Sequence, residues 1–450
     1  MYGVYQMDEL PGRMKILLVF IVFSILVMFV DGLMFDNYNS RPSMAMMHME
    51  MKPVITPDPV PPSQEEYLEN YGLTPTVPSD PDTPMVPDIV YDNGVPIKLY
   101  RIVASNVVHE IRPGVKVSMI AFNGRIPAPT IRVTEGDHVR VLLFNNATDP
   151  HTIHWHGIEN ITSESDGVPD VGQEWVLPGE SFMYAFIADP AGTRMYHCHV
   201  EAPHHMTMGM YGALIVDPKG ADGTADLASG SVMGAADKDS TFLFSEFDTS
   251  HPHVPLPGEM MPMGPDGSLP WLLSSPKFAM PFDPNLNEFL VNGKSFPATP
   301  IYDVKEGQVV RWRLINLGLT THSIHIHGHH FTVTHRDGFA LPAPFEVDTL
   351  SVEPGERYDV WFKADNPGVW MIHDHAGMSA MANGYDPAGV MWVIRYEGVN
   401  TDILDAFLER AAVYERNIRH QDDDHGLQTP TSTVGGGMEM GGMAMGGGAH

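Results

Sequence analysis

The chain has 450 residues, of which 43% are hydrophobic and 9% aromatic, enough apolar material to bury the cores of two or three domains. Its 26 basic and 56 acidic residues give a formal net charge of −30, which repels phosphate backbones, so we expect no nucleic-acid partner. A single cysteine, Cys198, excludes a framework of intrachain disulfides and leaves one thiol, which lies among histidines.

Near the N-terminus, the basic residues Arg13 and Lys15 precede a nearly continuous apolar run of 15 residues, ILLVFIVFSILVMFV. Asp31 and Asp36 follow the run, and this order of charges places the rest of the chain outside the cytoplasm. The length suits a signal peptide as well as a membrane anchor, but no cleavage site of the Ala-x-Ala kind follows. We therefore expect residues 1–36 to be a signal or, preferably, an anchor, and the protein to be periplasmic, pseudoperiplasmic or at the cell surface.

Residues 37–94 are rich in Pro, Asp and Met and show little periodicity, which is typical of an extended linker. Two later stretches then follow one plan: FNGRIPAPTIRVTEGDHVRVLLFNN precedes His151, and VNGKSFPATPIYDVKEGQVVRWRLIN precedes His322. In both, the first histidine of the motif lies 15 positions after the Gly of the EG turn, Gly136 or Gly307. A repeat of roughly 170 residues predicts two copies of one domain.

Within each copy, short runs such as TIRV, VVRWRLI and YDVWF place β-branched and aromatic residues between turn-forming residues. This pattern predicts an all-β fold of two β-sandwich domains, residues 95–218 and 240–398, joined by a small, polar linker at 219–239. In the C-terminal segment, 399–450, apolar residues at helical spacing predict a short packing helix at 402–418. A Met- and Gly-rich sequence follows it and predicts a flexible tail.

Four histidine clusters occupy matching places in the two repeats: HTIHWHG and YHCH in the first copy, HSIHIHG and IHDH in the second. Residues two apart on a strand point to the same face, so each His-x-His pair presents two imidazoles together. Imidazoles without carboxylates suit copper or zinc. The thiol of Cys198, between His197 and His199, favours copper.

The first copy also contains the residue types of a blue-copper site, which uses two imidazoles, a thiolate and a long axial thioether. The expected ligands are His151, Cys198, His205 and Met210. His204 and Met208 are competing assignments in the same EAPHHMTMGM segment. In the second copy Asp374 takes the place of the cysteine, so we expect no second blue site at His322.

The motifs HWHG, HCH, HxxHxHGHxF and the final HxH together resemble those of multicopper oxidases. The resemblance is to the two-domain, small-laccase-like group with blue copper in the first domain, a group related to copper nitrite reductase. It covers residues 95–398 and implies two cupredoxin-like Greek-key domains. It further implies a type 2 copper held by His154 and His325. The coupled type 3 pair would be held by His156, His197, His199, His327, His373 and His375.

The resemblance implies an enzyme that oxidises a donor by one electron at the type 1 (blue) copper and reduces O2 to water at a three-copper cluster, with four coppers for each chain. Cys198 would accept the electron, and its histidine neighbours would deliver it. Asp166, in ESDGVP, resembles the family's acid that assists proton delivery to oxygen, although an Asp before Gly is equally typical of a turn. Similar proteins form homotrimeric rings with each cluster between two subunits.

Two other functions fit parts of the sequence. Copper nitrite reductase shares the fold and the blue site, but it needs an Asp three residues after the first blue-copper histidine, where this chain has His154. A copper-storage protein would use the methionines of MAMMHMEM, EMMPM and the tail, because thioethers bind Cu(I), though such segments are also typical of flexible low-complexity sequence. The electron donor stays open among a phenol, Cu(I), a small reduced nitrogen compound and a cupredoxin partner.

Overall fold

The computed structural model describes residues 73–226, 233–249, 285–377, 379 and 387–411. The predictions for the apolar N-terminal run and for the three methionine-rich segments concern residues outside these ranges. Within the described ranges, no helix has both the length and the apolar character needed to cross a membrane.

The structure consists mainly of strands. In chain order they are β1 (Thr74–Pro75), β2 (Asp88–Asp92), β3 (Val95–Arg112), β4 (Val115–Phe122), β5 (Ala128–Thr134), β6 (His138–Asn145), β7 (His154–His156), β8 (Ser181–Ile187), β9 (Gly192–His197), β10 (Tyr211–Asp217), β11 (Lys238–Phe247), β12 (Glu288–Val291), β13 (Ile301–Val304), β14 (Val309–Asn316), β15 (His322–Ile326), β16 (Phe331–Arg336), β17 (Phe339–Val347), β18 (Thr349–Val352), β19 (Arg357–Lys363), β20 (Val369–Asp374) and β21 (Met391–Tyr396). A 3-10 helix spans Ser163–Ser165, helix α1 spans Ala202–Thr207, and helix α2 covers residues 402–411.

The first domain is a sandwich of two sheets. One has the strand order β1-β3-β6-β8, with β2 and β4 also paired to β3, and the other has the order β5-β10-β9-β7. Alternation along β6 buries Val139, Val141 and Leu143, because every second side chain of a strand faces the core. Trp155 of β7 lies in the same core. The histidine strands β7 and β9 are therefore at one edge of the second sheet.

The second domain repeats this architecture with sheets ordered β12-β11-β14-β19-β16-β17 and β13-β21-β20-β15-β18. Its core is aromatic: the ring of Phe242 lies 4.9 Å from that of Trp312 and 4.8 Å from that of Trp392. Such rings bury large apolar areas, which stabilises a sandwich of short strands. The all-β, two-sandwich fold predicted from the repeat is therefore present.

Strand register places the histidine pairs of both domains in equivalent positions. In the first domain β7 and β9 are antiparallel with His154 opposite His197. In the second, β15 and β20 are antiparallel with His325 opposite His373. Because side chains alternate along a strand, this register brings the two His-x-His pairs of each domain together on one face.

Two of the strands lie in the 37–94 stretch for which we expected a linker. Strand β1 pairs with β3 in parallel, and β2 forms an antiparallel pair with the start of β3. Both are short and largely exposed, so they lack the apolar alternation from which a strand can be predicted. Of the helix expected at 402–418, residues 402–411 are described, and they pack Ala411 and Phe407 with Phe296.

A largely buried network of charges joins the two domains. Arg132 of the first domain donates to Asp239 of the second at 3.0 Å, and Arg313 donates to the same carboxylate at 3.0 Å. Arg313 also donates to the hydroxyl of Thr193 at 2.6 Å, and that hydroxyl in turn donates to Asp359. Buried charges require close partners of opposite sign, so this network holds the sandwiches in one relative arrangement.

Candidate metal centre

One group of potential ligands forms around the only cysteine. The Cys198 sulfur lies 3.5 Å from His151 Nδ1 and 3.3 Å from His205 Nδ1, and all three residues are buried. Cys198 follows β9 directly, whereas α1 supplies His205. Burial raises the pKa of the Cys198 thiol to about 12, so a cation must replace its proton before it can act as a thiolate.

The backbone between α1 and β10 decides which residues of EAPHHMTMGM face the cysteine. The Met210 amide donates to the His205 carbonyl at 3.1 Å, and the Cys198 amide donates to the Met210 carbonyl at 3.0 Å. Met210 is fully buried beside this group. His204 is not among the residues gathered around the sulfur, and the Met208 carbonyl accepts instead from a strand of the opposite sheet. These contacts place His205 beside the sulfur and bond Met210 to Cys198 through the backbone.

A second group comes from β7 and β9. Potential ligand atoms of His154, His156 and His197 lie within 4.8 Å of one another, and the Nε2 atoms of His156 and His197 are 2.9 Å apart. The His199 ring centre is 5.2 Å from that of His154. Burial and the neighbouring imidazoles lower the pKa of His156 to about 2, and burial lowers that of His197 to about 4. Both rings are therefore neutral at pH 7, the form that binds a metal.

The third group is its counterpart in the second domain. Potential ligand atoms of His325, His327 and His373 again lie within 4.8 Å of one another. The ring of His375 is centred 5.6 Å from those of His325 and His373. Among the described residues, the buried Nε2 atom of His327 has no hydrogen-bond partner. Buried polar atoms are nearly always partnered, so this nitrogen fits a metal ligand.

Hydrogen bonds fix which nitrogen each imidazole can offer. His197 Nδ1–H donates to the carbonyl of Cys198 at 2.8 Å, and His373 Nδ1–H donates to the equivalent carbonyl of Asp374 at 3.0 Å. His154 Nδ1–H donates to the carbonyl of Asp166 at 2.7 Å. A donor bond at Nδ1 fixes the tautomer and leaves the Nε2 lone pair for a metal. Both histidine groups thus fit copper, and among the residues that the structure describes no carboxylate belongs to either set.

The two histidine groups are separate from each other. Each one collects residues of a single domain, and no described ring of one group contacts a ring of the other. We call the group of His154, His156, His197 and His199 the first half-site, and the group of His325, His327, His373 and His375 the second half-site. The chain brings together each half of the predicted cluster, but not the two halves.

Asp166 belongs to a turn and also contacts the first half-site. It follows the 3-10 helix, and Gly167 after it has a φ of +92°, where a Cβ atom would lie 1.9 Å from the Ile153 carbonyl. Its carboxylate oxygen lies 3.3 Å from His154 Nδ1, and its side chain is 36% exposed. The turn thus places a carboxylate between the half-site and solvent.

The second domain has a charged triad where the first has its cysteine site. His322 is fully buried, with Nδ1 2.7 Å from an Asp374 oxygen and Nε2 3.1 Å from a Glu246 oxygen. Burial alone would lower the pKa of His322, but hydrogen bonds to both carboxylates raise it to about 9. Asp374 was expected here in place of a thiolate. Glu246 was missed, although a glutamate beside the apolar residues Phe242–Phe244 and Phe247 of β11 was a signal for it.

Comparison with known proteins identifies the family of this chain. Sequence models described as multicopper oxidase match residues 104–221 and residues 272–385. The solved structure of Multicopper Oxidase mgLAC is 38% identical with a TM-score of 0.59, over 68% of this chain and 88% of that one. The chain belongs to the multicopper oxidase family. Copper of types 1, 2 and 3 is therefore the cofactor of this multicopper oxidase, as its donor sets predict.

Other relatives help to define the length and fold of this multicopper oxidase. Blue Copper Oxidase from Nitrosomonas europaea is 38% identical with a TM-score of 0.58, over 68% of this chain and 88% of that one. Laccase-2 of Botryotinia fuckeliana is 31% identical over 289 residues, which are 63% of this chain and 46% of that protein. The chain thus spans about half the length of the curated relatives it matches. Copper nitrite reductase from Nitrosomonas europaea, at 22% identity and a TM-score of 0.52, shares the cupredoxin-like fold.

Proposed function

We propose that this protein couples one-electron oxidation of a donor at a type 1 copper to four-electron reduction of O2 to water at a trinuclear copper cluster. The observation that most supports this function is the position of Cys198: it lies in a buried thiol–imidazole group and its two chain neighbours belong to the first half-site. The proposed type 1 ligands are His151, Cys198, His205 and Met210. The proposed type 2 ligands are His154 and His325. The proposed type 3 ligands are His156, His197, His199, His327, His373 and His375.

Electrons would pass from the type 1 site to the trinuclear cluster through Cys198 and its two neighbours in the chain. This is the shortest covalent route between the two sites. Copper, when bound, supplies one-electron redox chemistry at both. The Cys198 side chain connects through its own backbone to His197 and His199, and the His197 ring is also hydrogen-bonded to the Cys198 carbonyl at 2.8 Å. Burial of the cysteine group excludes water and fixes its ligands, which keeps reorganisation small during transfer.

Proton supply is the proposed role of Asp166. O2 reduction to water consumes protons, and the Asp166 carboxylate has access to solvent and lies 3.3 Å from a ring nitrogen of His154. A carboxyl in this position can take a proton from bulk water and hold it beside the first half-site. The turn residues around Asp166 fix the distance of its carboxylate from the cluster. The turn is therefore part of the proposed route of proton supply.

Assembly into a homotrimeric ring would complete the cluster. The two half-sites lie on different domains and do not contact each other among the described residues. In a ring with head-to-tail interfaces, the first half-site of one subunit can face the second half-site of the next. We also propose that the protein functions outside the cytoplasm and that residues 1–36 act as its membrane anchor, on the basis of the apolar run and its flanking charges.

Copper counting and oxygen uptake test the proposed function. Fully loaded protein should contain one blue copper, one type 2 copper and a coupled pair for each chain, and it should consume oxygen with at least one of a phenol, Cu(I), a reduced nitrogen compound or a reduced cupredoxin. Two coppers per chain, with conversion of nitrite to NO and no oxygen uptake, would instead identify a nitrite reductase. Stable copper binding with neither turnover would identify a storage protein.

Substitution of Asp166 tests its proposed role as the proton donor. Asp166→Asn removes a titratable group without removing a ligand, so we expect reoxidation by O2 to slow about 10²- to 10⁴-fold for every donor while reduction of the blue copper is unchanged. Stopped-flow reduction without oxygen, followed by mixing with oxygen, separates the two half-reactions. Asp170→Asn is the matched control, because Asp170 lies in the same loop and accepts from Trp175 Nε1 at 3.0 Å. Parent-like reoxidation in Asp166→Asn would leave Asp166 a turn residue only.

A further inference from the structure

The charged triad of Glu246, His322 and Asp374 occupies the place in the second domain that the cysteine group occupies in the first. His322 matches His151, since each begins the histidine motif of its repeat, and Asp374 matches Cys198, since each stands between two half-site histidines. The side chains of His322, Asp374 and Glu246 are at most 1% exposed. The triad is therefore buried in the core of the domain and is not a solvated surface cluster.

Each carboxylate of the triad also accepts hydrogen bonds from neighbouring backbone. Asp374 accepts from the amides of Ser323 and Ala376, both at 2.9 Å. Glu246 accepts from the amides of Leu319 and Thr320, at 2.7 and 3.1 Å, and from the Thr320 hydroxyl. The triad thus ties the loop before β15, the start of β15 and the end of β20 to strand β11.

The triad lies next to the strand positions that carry the histidines of the second half-site. Asp374 points into the core, so His373 and His375 on either side of it must point to the opposite face. The hydrogen bond from the Ser323 amide to Asp374 joins β15 to β20. In the pairing of these strands, Asp374 is opposite Ile324 and His373 is opposite His325. The amide of His375 donates to the Ser323 carbonyl at 2.7 Å, which extends the same connection by one residue.

We infer that Glu246, His322 and Asp374 are positioning residues that fix the imidazoles of the second half-site for copper, in the role that the metal-bound cysteine has in the first domain. In the first domain, a copper–thiolate bond at Cys198 would hold His197 and His199 in place. In the second domain, a hydrogen-bonded ion cluster at Asp374 holds His373 and His375, with no metal needed. The inference rests on the proposed function, because it assumes that both half-sites bind type 2 and type 3 copper.

Copper affinity, measured separately for each copper type, tests the inference. We expect Asp374→Ala to weaken type 2 and type 3 copper binding about 10- to 100-fold, as loss of a group that orients metal ligands typically does, while the blue absorption per chain stays at the parent value. Asp374→Asn should recover most of the affinity, because an amide oxygen can still accept from Ser323 and Ala376. The measurement is a chelator titration of the full chain, followed by the type 2 signal in electron paramagnetic resonance and by visible absorption.

A matched control separates positioning from simple loss of stability. Glu288 is buried in the same domain, and its carboxylate pairs with Arg112 of the first domain at 2.8 Å. Glu288→Gln should lower the melting temperature and leave every copper affinity unchanged. If Asp374→Ala does not fold, Glu246→Ala replaces it and should weaken the same two copper types. Parent-like type 2 and type 3 binding in a folded triad variant would overturn the inference, whereas a parent chain without those coppers would overturn the proposed function itself.

Discussion

Replacing Cys198 by serine should abolish the blue colour of the oxidised protein. The intense visible absorption of a blue site arises from the bond between copper and a thiolate, and Cys198 is the only thiol in the chain. Serine is close to cysteine in size, so the fully buried position should tolerate it sterically. We expect the visible band to vanish and donor oxidation to fall to background, as measured by absorption and by oxygen uptake on the same sample.

His204 and His205, which are adjacent in the chain, provide a matched pair of variants for this test. His205→Gln should also remove the blue band, because His205 Nδ1 lies 3.3 Å from the sulfur, whereas His204→Gln should retain it. Copper analysis of all three variants shows whether the other copper types remain bound. A blue band that persists in Cys198→Ser, or that disappears in His204→Gln and persists in His205→Gln, would contradict the ligand assignment.

Mixing two inactive variants should restore oxidase activity. His156→Ala damages only the first half-site and His327→Ala only the second, so each protein alone has a damaged ligand set at every interface of a ring. After subunit exchange at equal concentrations, about one interface in four should combine two intact half-sites, because half of the chains supply each of them. We therefore expect oxygen uptake to rise from near zero to about a quarter of the parent rate.

The control for this experiment is a mixture of His156→Ala and His197→Ala. Both changes lie in the first half-site, so every interface stays damaged and no activity should return. Because both substitutions change the mass by the same amount, one variant is labelled with nitrogen-15 before mixing, and mass spectrometry of the intact assembly then confirms that chains have exchanged. Exchange without recovery in the His156→Ala and His327→Ala mixture would show that each cluster forms within one chain.

Much of the candidate site could be predicted from sequence because its chemistry is local. A His-x-His pair on a strand needs only the two-residue alternation to place both rings on one face, and the equal spacing from Gly136 and Gly307 reveals the repeat. The choice between His204 and His205 could not be made in the same way. It depends on how the six-residue helix α1 turns and on backbone bonds to Met210, which no periodicity describes.

The features that sequence did not predict depend on contacts between distant segments. Glu246 reaches His322 across 76 positions of the chain, and only the parallel pairing of β11 with β14 brings them together. Arg132 and Asp239 belong to different domains and meet only when the sandwiches dock. Strands β1 and β2 are held by pairing with β3 rather than by apolar side chains of their own. Such contacts leave almost no periodic signal in the sequence.

In the proposed ring, the separation of the two half-sites would make metal loading and subunit association one equilibrium. A copper ion that takes imidazoles from two chains binds the assembled ring more tightly than the free subunit, so by mass action the metal stabilises the assembly and the assembly retains the metal. Dilution and chelation then have the same consequence, since each shifts the balance toward copper-poor monomers. In a compartment where copper is scarce, the proposed ring would lose its quaternary structure together with its proposed activity, and renewed supply would restore both without new synthesis.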